Sequence, residues 1–114
     1  MDINIKALEI EHTEAIDAYV EEKVGKLEKF LQSVQTPHSA HVEIGKSTGH
    51  HKNGAVMTCH VHLTLPGTTL HAENEATDLY AAIDMAADDL ERQIVKFKET
   101  RGGNEREEEV TETE

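Results

Sequence analysis

The chain has 114 residues, of which 23 are Asp or Glu and 11 are Lys or Arg, for a formal charge of −12. That length builds one small domain around a single core. The charge excludes a uniformly basic nucleic-acid binder, so contact with a polyanion has to come from a local basic patch on an acidic body.

The first residues, Met1-Asp2-Ile3-Asn4, lack the basic and apolar regions of a signal peptide. No apolar run approaches the ~20 residues of a membrane span. The lone Cys59 can form no intrachain disulfide, which fits a reducing cytoplasm. Ile3, Ile5 and Ala7 alternate with Asn4 and Lys6, the pattern of a short strand. Thr13 is a good N-cap for a helix. Ile16, Tyr19/Val20, Val24, Leu27 and Phe30/Leu31 recur at three- and four-residue steps, which predicts an amphipathic helix from about Glu14 to Gln32.

Pro37 opens a second strand, with Ala40, Val42 and Ile44 on one face and His41 and Glu43 on the other. Residues 47–54 (STGHHKNG) read as a polar loop with Asn53-Gly54 as its turn signal. The third strand alternates most clearly: Ala55, Met57, Cys59, Val61, Leu63 and Leu65 against Val56, Thr58, His60, His62 and Thr64. Pro66-Gly67 turns the chain into a fourth strand from Thr68 to Glu73. A second helix is predicted from about Thr77 to Thr100, with Leu79, Ile83, Ala86, Leu90, Ile94 and Phe97 as its stripe and Gly102-Gly103 as its stop.

The order β-α-β-β-β-α, with one apolar stripe per helix and one apolar face on the strands, implies an α+β fold. Both helices pack on one face of a four-stranded mixed sheet, and the first two strands run parallel through a right-handed crossover. The other face stays open. Residues 1–101 form this domain; residues 102–114 hold six acids and one base and read as a disordered tail. That tail is a solvated charge run or a mobile anion that competes for a binding surface.

Two constellations stand out. The first is basic. Lys23, Lys26 and Lys29 form a row on the first helix, and Arg92, Lys96, Lys98 and Arg101 crowd the end of the second. If the helices lie antiparallel, the two groups build one patch able to hold phosphates. Cations near a helix C-terminus also complement the macrodipole, and Glu22–Lys26 and Asp88–Arg92 have the spacing of ordinary ion pairs.

The second constellation is histidine. Counting back from Pro66-Gly67 sets His62 opposite His71 and His60 opposite Glu73. If Lys46 lies opposite Ala55, His41 meets His60. His41, His60, His62 and His71 then share the open face, where opposed imidazoles can hold a divalent metal, physiological or adventitious. Protonating all eight histidines would also move the charge from −12 to −4. A metal-binding or pH-responsive protein is therefore the alternative function. No Ser/His/Asp set, phosphate-cradling glycine loop or CxxC motif points to catalysis.

Residues 3–31 (INIKALEIEHTEAIDAYVEEKVGKLEKFL), with Glu21-Glu22-Lys23 and Lys26-Leu27-Glu28-Lys29-Phe30, resemble the ribosome hibernation promoting factor / ribosome-associated inhibitor (protein Y) family. So do residues 70–99, with Leu79-Tyr80-Ala81-Ala82-Ile83-Asp84 and Leu90-Glu91-Arg92-Gln93. The family's fold has this same β-α-β-β-β-α order and is related to double-stranded RNA-binding domains. The resemblance implies a cytoplasmic, non-enzymatic protein that binds the small ribosomal subunit and its rRNA. It would occlude the mRNA channel and the A- and P-site tRNA positions in stress or stationary phase.

Neither DNA, membrane nor cofactor is expected, and the protein off the ribosome is expected to be a monomer. Lys23, Lys26, Lys29, Arg92, Lys96 and Lys98 match rRNA-contacting positions of the family, and Arg101 extends that run. Asp89 and Val95 stand where members commonly carry bases, and each lost cation weakens phosphate binding. The chain resembles the short form, without the second domain that dimerises ribosomes, and its acidic tail resembles the inhibitor type.

Overall fold

The computed structural model describes residues 1–32, 38–47 and 56–106, with side chains through residue 100. Its elements are β1 (Asp2–Leu8), α1 (Glu14–Gly25), a 3-10 helix (Lys26–Leu31), β2 (Ser39–Ser47), β3 (Val56–Leu65), β4 (Thr68–Ala76) and α2 (Leu79–Arg106). The strands lie in the order β1-β2-β3-β4, with β1 parallel to β2 and the other two pairings antiparallel. The α+β class, the element order and the mixed sheet are those expected from the hydrophobic periodicity.

Thr13 caps α1, its hydroxyl accepting from the Ile16 N–H at 3.2 Å. The helix predicted through Gln32 changes type after Gly25, the weakest helix former in the segment, and continues as 3-10 turns. Val20, Val24, Leu27 and Leu31 stay buried through that change. They pack with Val42, Ile44, Val61 and Leu63 from the sheet and with Ile83, Leu90 and Ile94 from α2. Both helices therefore cover one face.

The second helix begins two residues later than expected, where the Asp78 carboxylate accepts from the Ala81 N–H at 3.1 Å. It also runs past Gly102-Gly103 to Arg106. Glycine costs about 1 kcal/mol in a helix interior, too little to stop a helix whose earlier turns are packed. Residues 107–114 of the expected tail lie outside the described residues, as do residues 33–37 and 48–55, with His50 and His51.

Two glycines are required by geometry. Gly67 closes the β3–β4 hairpin at φ +78°, a left-handed conformation that suits glycine, after Pro66. Gly45 pairs with Leu8, and a Cβ there would stand 2.9 Å from the Leu8 carbonyl oxygen. One polar atom is stranded: Asn74, opposite Cys59 on the inner side of β4, has a buried Oδ1 without a hydrogen bond. Cys59 is fully buried, and burial pushes its thiol up to about 12, so it serves as a small apolar filler.

Candidate functional site

The helix side carries a groove of about 430 Å³ between α1 with its 3-10 extension and α2. One wall presents Lys23, Lys26 and Lys29; the other presents Asp84, Asp88 and Glu91, and Leu27, Phe30 and Ala87 line the groove with them. The two helical segments advance in step. Tyr19 meets Tyr80 edge-to-face at 4.7 Å and donates its hydroxyl to Asp84 Oδ1 at 2.6 Å. One turn on, Lys23 Nζ lies 3.8 Å from Asp84 Oδ1 and 5.4 Å from the Tyr19 ring centroid. The segments therefore run in the same direction rather than antiparallel, which brings the basic C-terminal part of each toward the same end of the domain.

That direction decides which charges meet. The lysine row lies level with the acids of α2, ahead of the basic run in its last turns. At 100° per residue, Arg92 and Lys96 sit about 40° and about 80° further round α2 than Asp88, on the outer side of the acid wall and outside the groove lining. Arg92 pairs with Asp89 at 3.9 Å rather than with Asp88. Asp89 also accepts from Gln93 Nε2 at 3.2 Å, and Gln93 reaches the backbone of edge strand β4, donating to the His71 carbonyl at 2.8 Å. Lys98 comes round to the groove side. Arg101 is helical, with its side chain outside the described residues.

The chemistry of Tyr19 reports this packing. Its hydrogen bond to Asp84, partial burial and the carboxylate charge raise its pKa from 10.0 to about 12. Tyr19, Tyr80, Asp84, Asp88 and Glu91 were not among the expected site residues. A signal exists: Tyr19 precedes Lys23 by four residues, and Tyr80 precedes Asp84 by four, so each helix places a ring one turn before a charge on the same face.

The sheet's open face is ordered by register alone. The β3–β4 pairing is as expected, with His62 opposite His71 and His60 opposite Glu73. The β2–β3 pairing is two residues off: Lys46 lies opposite Met57, His41 opposite His62, and Glu43, not His41, opposite His60. A two-residue shift keeps every side chain on its face, so the apolar pattern could not detect it.

The result is two rows across four strands. Asn4, His41, His62 and His71 form one, and Lys6, Glu43, His60 and Glu73 form the next. The His62 and His71 rings stack at 4.4 Å and 20°, and His60 Nε2 lies 3.4 Å from Glu73 Oε2. A depression of about 410 Å³ lies beside them, lined by Asn4, Lys6, His41, Glu43 and His62 among others. The four histidines do not converge. Among the described residues no group of three His, Cys, Asp or Glu is arranged to hold a metal ion, so the metal reading gains no support.

Residues 3–101 match the model of the family described as Sigma 54 modulation protein / S30EA ribosomal protein. The chain belongs to this family. The ribosome hibernation promotion factor of Lactococcus lactis subsp. cremoris is 38% identical over 100 residues, 83% of this chain and 48% of that one. The ribosome hibernation promoting factor of Azotobacter vinelandii is 34% identical over 99 residues, 87% of this chain and 84% of that one.

The chain thus spans about half the length of the first relative. The crystal structure of the Thermus thermophilus Protein Y N-terminal domain superposes with a TM-score of 0.72 at 33% identity, covering 85% of this chain and 99% of that one. The S30EA match takes in both helices and all four strands. Among the described residues, no helix is long and apolar enough to cross a membrane.

Proposed function

We propose that this chain is a cytoplasmic ribosome hibernation factor that binds the small ribosomal subunit through the cations on its helix side. By occupying the mRNA channel and the A- and P-site tRNA positions, it stops translation in stress or stationary phase. The observation that carries the reading is the family match over the whole folded domain, and the relatives of that name add to it. The family is one of binding proteins, not enzymes, and occlusion requires no bond to be made or broken.

The chain's own residues supply the contacts. Lys26 and Lys29 are exposed at the groove mouth, and Arg92 and Lys96 are exposed on the outer flank of α2. Lys23 starts from its contacts with Asp84 and Tyr19. Lys98 and Arg101 extend the run. Such mobile cations recognise phosphate and shape rather than base sequence.

The test is co-sedimentation of purified protein with empty small subunits over a salt series, with a chelator present. The expected result is saturable binding that falls with salt and is lost in Lys26→Glu/Lys96→Glu. Absence of binding at low salt, or binding indifferent to that double variant, would overturn the reading.

A further inference from the structure

The groove's acidic wall has no part in attracting phosphate, yet it faces the lysine row directly. Three cations meet three anions across one groove, so its local charge sums to zero. Lys23 is already engaged, 3.8 Å from the Asp84 carboxylate and over the Tyr19 ring. A cation paired within the protein has fewer counterions to release when a phosphate arrives.

We propose that Asp84, Asp88 and Glu91 are specificity determinants: they screen the lysine row against loose single-stranded RNA, so that the helix side binds only a folded RNA surface. This inference rests on the proposed ribosomal role.

The physical argument is one of geometry. A flexible strand entering the groove meets both walls, and the repulsion from one offsets the attraction of the other. It also has to be ordered to contact Arg92 and Lys96 on the outer flank of α2, beyond the acid wall. A folded RNA surface offers phosphates at fixed places, so it engages the outer-flank cations at the same time as the exposed Lys26 and Lys29. The acids therefore subtract a larger share of the interaction from loose RNA than from structured RNA. Lys26→Glu/Lys96→Glu removes attraction from both ligands. Neutralising the acids changes their ratio.

The experiment compares the wild-type chain with Asp84→Asn/Asp88→Asn/Glu91→Gln. The asparagine at position 84 keeps an acceptor for the Tyr19 hydroxyl, and circular dichroism and thermal melting verify the fold. A control, Glu11→Gln/Glu14→Gln/Glu21→Gln, changes three exposed acids outside the groove and has the same net charge. Each protein is titrated with a fluorescent oligouridylate and with empty small subunits across a salt series.

The expected result is oligouridylate binding tightened about tenfold or more by the groove variant, from removal of three nearby like charges. Its salt slope should steepen by up to about two. Subunit affinity should change by less than about threefold, and the control should stay near wild type on both probes. Unchanged oligouridylate affinity overturns the proposal. So does an equal gain in the control, which makes the effect one of net charge, or an equal gain on subunits, which removes the discrimination. Failure of the wild-type chain to bind subunits refutes the ribosomal role and with it the discrimination, whereas the oligouridylate arm alone decides whether the acids screen the lysines.

Discussion

The two sides of this domain are built by different means. On the helix side, side chains from separate elements touch: Tyr19 with Tyr80, and Tyr19 and Lys23 with Asp84. Their positions follow from the relative direction of α1 and α2. On the sheet side, the histidine and glutamate rows follow from strand register, and their contacts stay between neighbouring strands. Charge on the helix side is therefore held in place by tertiary packing. Charge on the sheet side is arrayed by the backbone.

If function resides on the helix side, perturbing the two sides has unequal effects. The largest is on subunit association. Lys26→Glu/Lys96→Glu should weaken it by about a hundredfold or more at low salt, whereas His41→Ala/His62→Ala should leave it within about twofold, read by co-sedimentation. Equal losses would erase the distinction.

Stability separates the sides next. Gly45→Ala drives a Cβ to 2.9 Å from the Leu8 carbonyl, and backbone cannot yield as a side-chain tip can. It should cost about 2 kcal/mol in urea unfolding through the β1–β2 pair, while the Tyr19 contacts persist. A smaller effect of opposite sign is expected at Asn74. Replacing it by Val removes the stranded buried Oδ1 and should add about 1 kcal/mol.

The smallest effect is a titration. Tyr19 should ionise near 12 in ultraviolet absorbance, and Asp84→Asn should bring it back toward 10. The His41→Ala/His62→Ala variant should leave it unmoved. Because the folded-state pKa is the higher one, the associated stability is complete below pH 10 and is lost as pH rises toward 12.

The same contrast explains what could be read from the residues. Alternation located β3, and the two-residue Pro66-Gly67 turn set the β3–β4 register through His62–His71. The β2–β3 register escaped because the span between those strands has no single favoured closure, and a shift of two leaves Val42 and Ile44 inward either way. The lysine row was legible from its three-residue spacing. That it faces Asp84, Asp88 and Glu91 was not read from spacing, although the topology implies it: β1 and β4 run the same way, so the helices that follow them both return the other way. Nor did Gly102-Gly103 mark the end of α2, since the well-packed turns before it outweigh the local cost.

Lysine footprinting on the small subunit tests the central claim most directly, because both sides carry lysines. Lys23, Lys26, Lys29, Lys96 and Lys98 belong to the helix side, and Lys6 lies in an open-face row. Acetylation of the bound protein, read by mass spectrometry against the free protein, should show the helix-side lysines protected more strongly than Lys6. Protection of Lys6 with the five helix-side lysines still reactive would contradict the account.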